Sequence, residues 1–197
     1  MKIVVFVSGR GSNLQAILNS LDLRNKVEVK AVVSDKKECS AFHIAEKYSI
    51  PTYSITMTGF TELYEIFLNY KVELIVLAGF LKLIPSDFIE RYKNRIINIH
   101  PALLPSFGGK GMYGMNVHNA VFESSAKISG ATVHFIDNSY DTGKIIAQQS
   151  VDITDVVSPE EIAERVLKIE HILLPYVIGK FADNKIKIEN NRIELLN

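Results

Sequence analysis

The sequence has a single cysteine, no tryptophan, no surplus of charge of either sign and no long apolar run. Each shortage closes a class. A lone Cys39 can make neither an internal disulfide nor a multi-cysteine metal site, and reads as a small buried hydrophobe. Lys and Arg number 22, as do Asp and Glu, so no electrostatic footprint points to nucleic acid or an anionic membrane. No stretch approaches the ~20 apolar residues of a membrane span. The run Met1–Val7 is too short for a signal peptide, and no small-residue cleavage site follows it, so the expected compartment is the cytoplasm. His43, His118, His134 and His171 show no metal-ligand spacing with acidic partners. They read as structural or surface residues, and no metal is expected.

What remains is a 197-residue chain with 47% hydrophobic residues. At that size ~70% of the unfolded surface can be buried, so one domain with a real core is expected. Apolar strand-like runs at 3–7, 27–33, 74–78 and 95–99, with a possible short strand at 51–55, alternate with helical spacing at 13–21, 39–48, 61–70 and 88–92. Such alternation implies βαβ units and a mostly parallel sheet, an α/β fold. Beyond residue 100 the character changes. Residues 101–116 are rich in Pro and Gly and read as a long functional loop, 117–123 as a helix, and 131–136 and 144–153 as strands joined by a polar turn. Ser158-Pro159-Glu160-Glu161 is a helix start, with Ser as cap and Pro at the first helical position. Pro175 is expected to kink that last helix, and 185–196 reads as a small hairpin.

Four places can carry chemistry. Ser8-Gly9-Arg10-Gly11-Ser12-Asn13 joins the first strand to the first helix, where helix N–H groups and the dipole favour an anion such as phosphate. It lacks the third glycine of the dinucleotide fingerprint and the Gly-Lys-Ser/Thr of a P-loop; the plain alternative is a glycine-rich turn with an Asn cap. Asn98 and His100 share one face of a strand at its carboxyl end, where open α/β sheets bind ligands. An amide beside an imidazole suits an oxyanion donor and a proton handler, or else a satisfied core histidine. The turn 137–143 carries Asp137 and Asp141, either as turn chemistry or with Asp141 reaching His100. Glu170 borders an apolar helical stripe and alone reads as a solvated acid.

These places fall in a known order. "VVFVSGRGSNLQAIL", "LIVLAGFLKLIP", "NIHPALLPSFGGKGMYG" and "GATVHFIDNSYDTGKIIAQ" together resemble the folate-dependent glycinamide ribonucleotide formyltransferase family of purine biosynthesis over essentially the whole chain. The resemblance implies a Rossmann-like mostly parallel sheet flanked by helices, with an antiparallel carboxy-terminal portion. It also implies a single domain over 1–197, with a phosphate-binding half of about 1–100 and a folate and active-site half of about 101–197. The implied reaction moves a formyl group from 10-formyltetrahydrofolate, a co-substrate, to the amine of phosphoribosylglycinamide. Asn98, His100 and Asp141 match the family's catalytic residues. Gly11, Ser12, Asn13 and Glu170 match its phosphoribosyl-substrate contacts. Leu81, Lys82, Leu83 and Ile84, with Asn98 and Asp137, Asn138, Ser139, Tyr140 and Asp141, match its folate pocket. The partners implied are these two small molecules, without nucleic acid or membrane, for a monomer or homodimer. Two departures stand out: the family often has Arg where this chain has Lys82, and no Arg lies between Arg24 and Arg91.

Rival readings expect features the sequence does not offer. A methionyl-tRNA formyltransferase would bring a further carboxy-terminal domain and basic surface, and a formyltetrahydrofolate hydrolase an amino-terminal regulatory domain. A phosphate-ligand sensor would use the first loop but have no need of Asn98, His100 and Asp141 together. For a nicotinamide dehydrogenase the glycine pattern is wrong.

Overall fold

The computed structural model describes residues 1–190 and 192–196. Its strands β1 (Lys2–Val7), β2 (Glu28–Ser34), β3 (Thr52–Ser54), β4 (Leu74–Leu77) and β5 (Ile96–His100) pair in parallel. β6 (Ile128–Phe135) runs antiparallel to β5, and β7 (Ile145–Asp152) antiparallel to β6. The seven-stranded sheet has the order β3-β2-β1-β4-β5-β6-β7.

Why the strands read as continuous apolar runs is clear from their two faces. Ile3, Val5 and Val7 of β1 pack in a cluster with α1 (Ser12–Asn19), α5 (Met115–Glu123) and α6 (Pro159–Ala182), through Leu14, Val117 and Val166. Val4 and Phe6 point the other way, into a cluster with α3 (Ile55–Tyr70) and α4 (Ser86–Arg91), through Leu63, Phe67 and Phe88. The short α2 (Phe42–Lys47) closes the β2–β3 crossover.

Most expected elements are present, with shifted ends. α1 starts at Ser12 rather than Asn13. α3 starts at Ile55, six residues before the periodic stretch, because Gly59 leaves helical geometry at φ 73° and hides the first turn from a periodicity reading. Ser158 caps α6 as expected, accepting from the Glu161 N–H. Pro175 lies inside α6, which runs on to Ala182. The tail pairs β8 (Ile186–Glu189) with β9 (Arg192–Leu195); Asn191, within the expected hairpin, and Asn197, the last residue of the expected domain, lie outside the described residues.

The topology positions the site. From β1 the chain builds outward to β2 and β3, then returns to add β4 and β5 on the other side. The order therefore reverses between β1 and β4, and a crevice opens at their carboxyl ends. Ser8 bridges it: its N–H donates to Gly79 O (3.1 Å), and its Oγ accepts from the Leu81 N–H (3.0 Å).

Candidate active site

A cleft of about 770 Å³ occupies this crevice, within the usual range for small-molecule sites. One end is backbone. Gly11, at φ 81°, turns the chain from β1 into α1, and no side chain caps the helix. The first-turn N–H groups are thus left for a ligand. A Cβ at Gly11 would sit 2.7 Å from Ala41 Cβ, so glycine is required both by conformation and by the approach of the 39–41 segment. The cap alternative does not hold: Asn13 lies inside α1, and its Nδ2 donates to Glu170 Oε2 (3.1 Å) on α6. Glu170 is buried, not solvated, because α6 packs against α1 at this point. Burial pushes its carboxyl up to about 7, and the Asn13 bond pulls the other way. Asn13 Oδ1 has no partner among the described residues, a buried acceptor at the cleft wall of the kind a ligand satisfies.

The other end is side chain. β5 presents Asn98 and His100 to the cleft, and the turn after β6 delivers Asp141 with φ 58°, a left-handed conformation that Asp tolerates. His100 is buried; its Nε2–H donates to Phe107 O (2.9 Å), leaving Nδ1 3.5 Å from Asp141 Oδ2. That carboxylate is held by the Gly109 N–H (2.9 Å). A fourth group joins them. His134 stands opposite Asn98 in the antiparallel register, accepts from Asn98 Nδ2 at Nε2 (3.0 Å), and lies 3.7 Å from Asp141 Oδ1. Its Nδ1–H donates to Phe135 O (2.7 Å), which fixes Nε2 as the acceptor and so orients the Asn98 amide. Burial lowers the His134 pKa, which favours the neutral ring.

The structure brings Gly11, Ser12, Asn13, Glu170, Leu81, Asn98, His100, Tyr140 and Asp141 into one cleft. The remaining expected folate contacts stand apart from its lining. Lys82 and Leu83 are exposed, whereas Ile84 is buried in the α3/α4 layer. Asp137 shapes its own turn, accepting from the Ser139 N–H (3.0 Å) and Thr142 Oγ1 (2.6 Å), so 137–139 frame the loop that carries Tyr140 and Asp141. A smaller recess of about 330 Å³, walled by Leu104, Pro105 and Ile145, shares Tyr140 and Asp141 with the main cleft. Sequence reasoning set aside His134 and His118. The first is found only through the β5–β6 register. The second lines the cleft from α5 with Nδ1 unpartnered among the described residues, its pKa lowered to about 4 by burial and by His100 nearby.

A mostly parallel sheet with a glycine-containing strand-to-helix loop at its switch point and an amide, two imidazoles and a carboxylate beside it agrees with relationship at the sequence level. The model of the family described as "Formyl transferase" matches residues 1–178, and the chain belongs to that family. Its relatives are more particular. The chain is 41% identical to a protein named "Phosphoribosylglycinamide formyltransferase, chloroplastic" from Arabidopsis thaliana, over 99% of this chain and 70% of that protein. It is 34% identical to the phosphoribosylglycinamide formyltransferase of Escherichia coli (strain K12), over 97% and 92% respectively. The crystal structure of the Anaplasma phagocytophilum phosphoribosylglycinamide formyltransferase superposes with a TM-score of 0.90 at 31% identity, covering all of this chain and 93% of that one.

Proposed function

We propose that this chain transfers the formyl group of 10-formyltetrahydrofolate to the amine of phosphoribosylglycinamide, a step of purine biosynthesis. The observation that carries the reading is one cleft with an anion-binding helix start at one end and the Asn98, His100 and Asp141 cluster at the other. The ribonucleotide phosphate sits on Gly11, Ser12 and Asn13, and its ribose lies toward Glu170. The formyl donor enters past Leu81 and the 137–141 turn. The apolar recess beside Asp141 suits its flat heterocycle, which brings the formyl carbon to the junction of the two spaces.

The chemistry then needs little. The substrate amine attacks the formyl carbon, and a tetrahedral oxyanion forms. Asn98 donates to that oxygen with the amide N–H that His134 does not use. The C–N bond to the folate nitrogen breaks, and the amine's proton ends on that nitrogen. His100 handles the proton through Nδ1, the nitrogen left open by the Phe107 bond, and the facing Asp141 carboxylate stabilises charge there. No covalent enzyme intermediate and no metal are invoked. The functional unit is a single domain over 1–197, whose amino-terminal half holds phosphate and whose carboxy-terminal half completes the folate and catalytic site. Its partners are the two small molecules, not nucleic acid or membrane; it acts in the cytoplasm as a monomer or homodimer. Among the described residues no helix is long and apolar enough to cross a membrane. The test is tetrahydrofolate release from 10-formyltetrahydrofolate. It is expected only when phosphoribosylglycinamide is present; equal release without it would replace transfer by hydrolysis.

A further inference from the structure

Nothing in the reaction above uses the segment between β2 and α2, yet three consecutive residues there hold the phosphate loop. Cys39 Sγ donates to Gly9 O (3.3 Å), and Ser40 Oγ donates to the same carbonyl (3.2 Å). Ala41 fills the space where Gly11 lacks a side chain. The Cys39 thiol is buried, whereas Ser40 is exposed at the surface. Gly9 and Arg10 both line the cleft. In a trans peptide the carbonyl and the next N–H point in opposite directions, so two donors on Gly9 O fix the direction of the Arg10 N–H. Gly9 itself carries no side chain and finds open space around its Cα. Its peptide would otherwise turn freely, and a ligand would have to order it at an entropic cost.

We infer that Ser40 and Cys39 are positioning residues for phosphate: they clamp the Gly9 carbonyl so that the loop's N–H groups are set before the substrate arrives. The inference rests on the phosphate assignment made above. The hydroxyl is the stronger donor and the thiol the weaker one. Neither side chain reaches the reacting atoms, so the clamp acts on binding of the phosphorylated substrate and not on the chemical step.

The test compares Ser40→Ala, Cys39→Ala, Cys39→Ser and the Ser40→Ala/Cys39→Ala double variant, each assayed with phosphoribosylglycinamide and with its dephosphorylated riboside. Ser40→Ala should raise KM for the ribonucleotide ~5-fold, the equivalent of one neutral hydrogen bond. Cys39→Ala should raise it less and the double variant most, while Cys39→Ser, which keeps a donor, stays near wild type. kcat, KM for the formyl donor and turnover of the riboside should not move. If the double variant binds the ribonucleotide as wild type does, or weakens both substrates and the formyl donor alike, the clamp is only structural and the inference is overturned. A wild-type enzyme indifferent to the phosphate would overturn the phosphate assignment as well, and is recognised from the wild-type data alone.

Discussion

The two ends of the cleft are built from different materials. The end proposed for phosphate is main chain: a strand, a glycine at φ 81°, and a helix start whose N–H groups are uncapped. The end proposed for catalysis is side chain: Asn98 and His100 from β5, His134 from β6 and Asp141 from the turn beyond, drawn together by antiparallel pairing. The first is local and depends on conformation. The second is non-local and depends on register. Substitutions at the phosphate end should therefore disturb folding and binding together, and those at the catalytic end should disturb turnover alone.

The largest effect is expected at the catalytic end. A positioned proton-transfer group typically contributes ~10²–10⁴ in rate, and His100→Ala should lose kcat on that scale with little change in substrate binding. Asp141→Asn keeps the shape, since Asn also tolerates the left-handed backbone, but removes the charge facing Nδ1. If the groups act as a unit, His100→Ala/Asp141→Asn will be hardly slower than His100→Ala alone. Losses that multiply in the kcat cycle would make Asp141 a turn residue.

Gly11→Val probes the opposite end. The new side chain meets Ala41 Cβ at 2.7 Å and takes a positive φ that β-branched residues avoid. Overpacking and backbone strain each cost ~1–3 kcal/mol, so the thermal midpoint should fall by many degrees while KM for the ribonucleotide rises. A change in KM at constant midpoint would mean that the 39–41 segment yields easily. It would also blur the contrast between the two ends.

This difference in material also decides what could be read in advance. Val4–Val7 and Leu74–Leu77 announce buried parallel strands by their unbroken apolar runs, and Ser8–Asn13 announces a turn into a helix, because both signals lie within a few consecutive residues. Asn98 and His100 were visible as a same-face pair for that reason. His134 was not, because nothing in its own neighbourhood says that it faces Asn98; only the pairing Asn98↔His134 does. Glu170 was misread as solvated since its burial comes from α1, at the far end of the sequence. Placing Asp141 in the site took family resemblance, since a turn's direction is set by tertiary contacts such as the Gly109 bond.

Glu170, beside Asn13, makes stability depend on pH. Its folded carboxyl keeps its proton up to about pH 7, whereas the ordinary value is 4.5. Between those values the unfolded state binds fewer protons than the folded one, so stability falls as pH rises through that window and levels off above it. Glu170→Gln keeps an acceptor for Asn13 and has no charge to bury. Relative to wild type it should gain stability across that pH range, by at most roughly 3 kcal/mol, as read from denaturant midpoints at successive pH values. Parallel stability curves for the two proteins would show that the carboxyl ionises freely in the folded state.

The smallest expected effect separates a residue that reacts from one that aims. His134 touches the Asn98 amide but is buried behind it, so its influence on the reaction passes through Asn98. His134→Phe keeps a ring in the space and removes the Nε2 acceptor, freeing the amide to rotate. One misaimed hydrogen bond at ~1 kcal/mol lowers kcat by less than tenfold, well below the loss at His100. KM values should hold, because neither substrate depends on that nitrogen. The informative measurement is the cost of Asn98→Ala in both backgrounds. In wild type, that substitution removes an aimed donor; in His134→Phe it removes one already loose, so the second loss in kcat should be the smaller. Equal losses would mean that Asn98 is aimed by the strand alone and that His134 is a core residue beside the site.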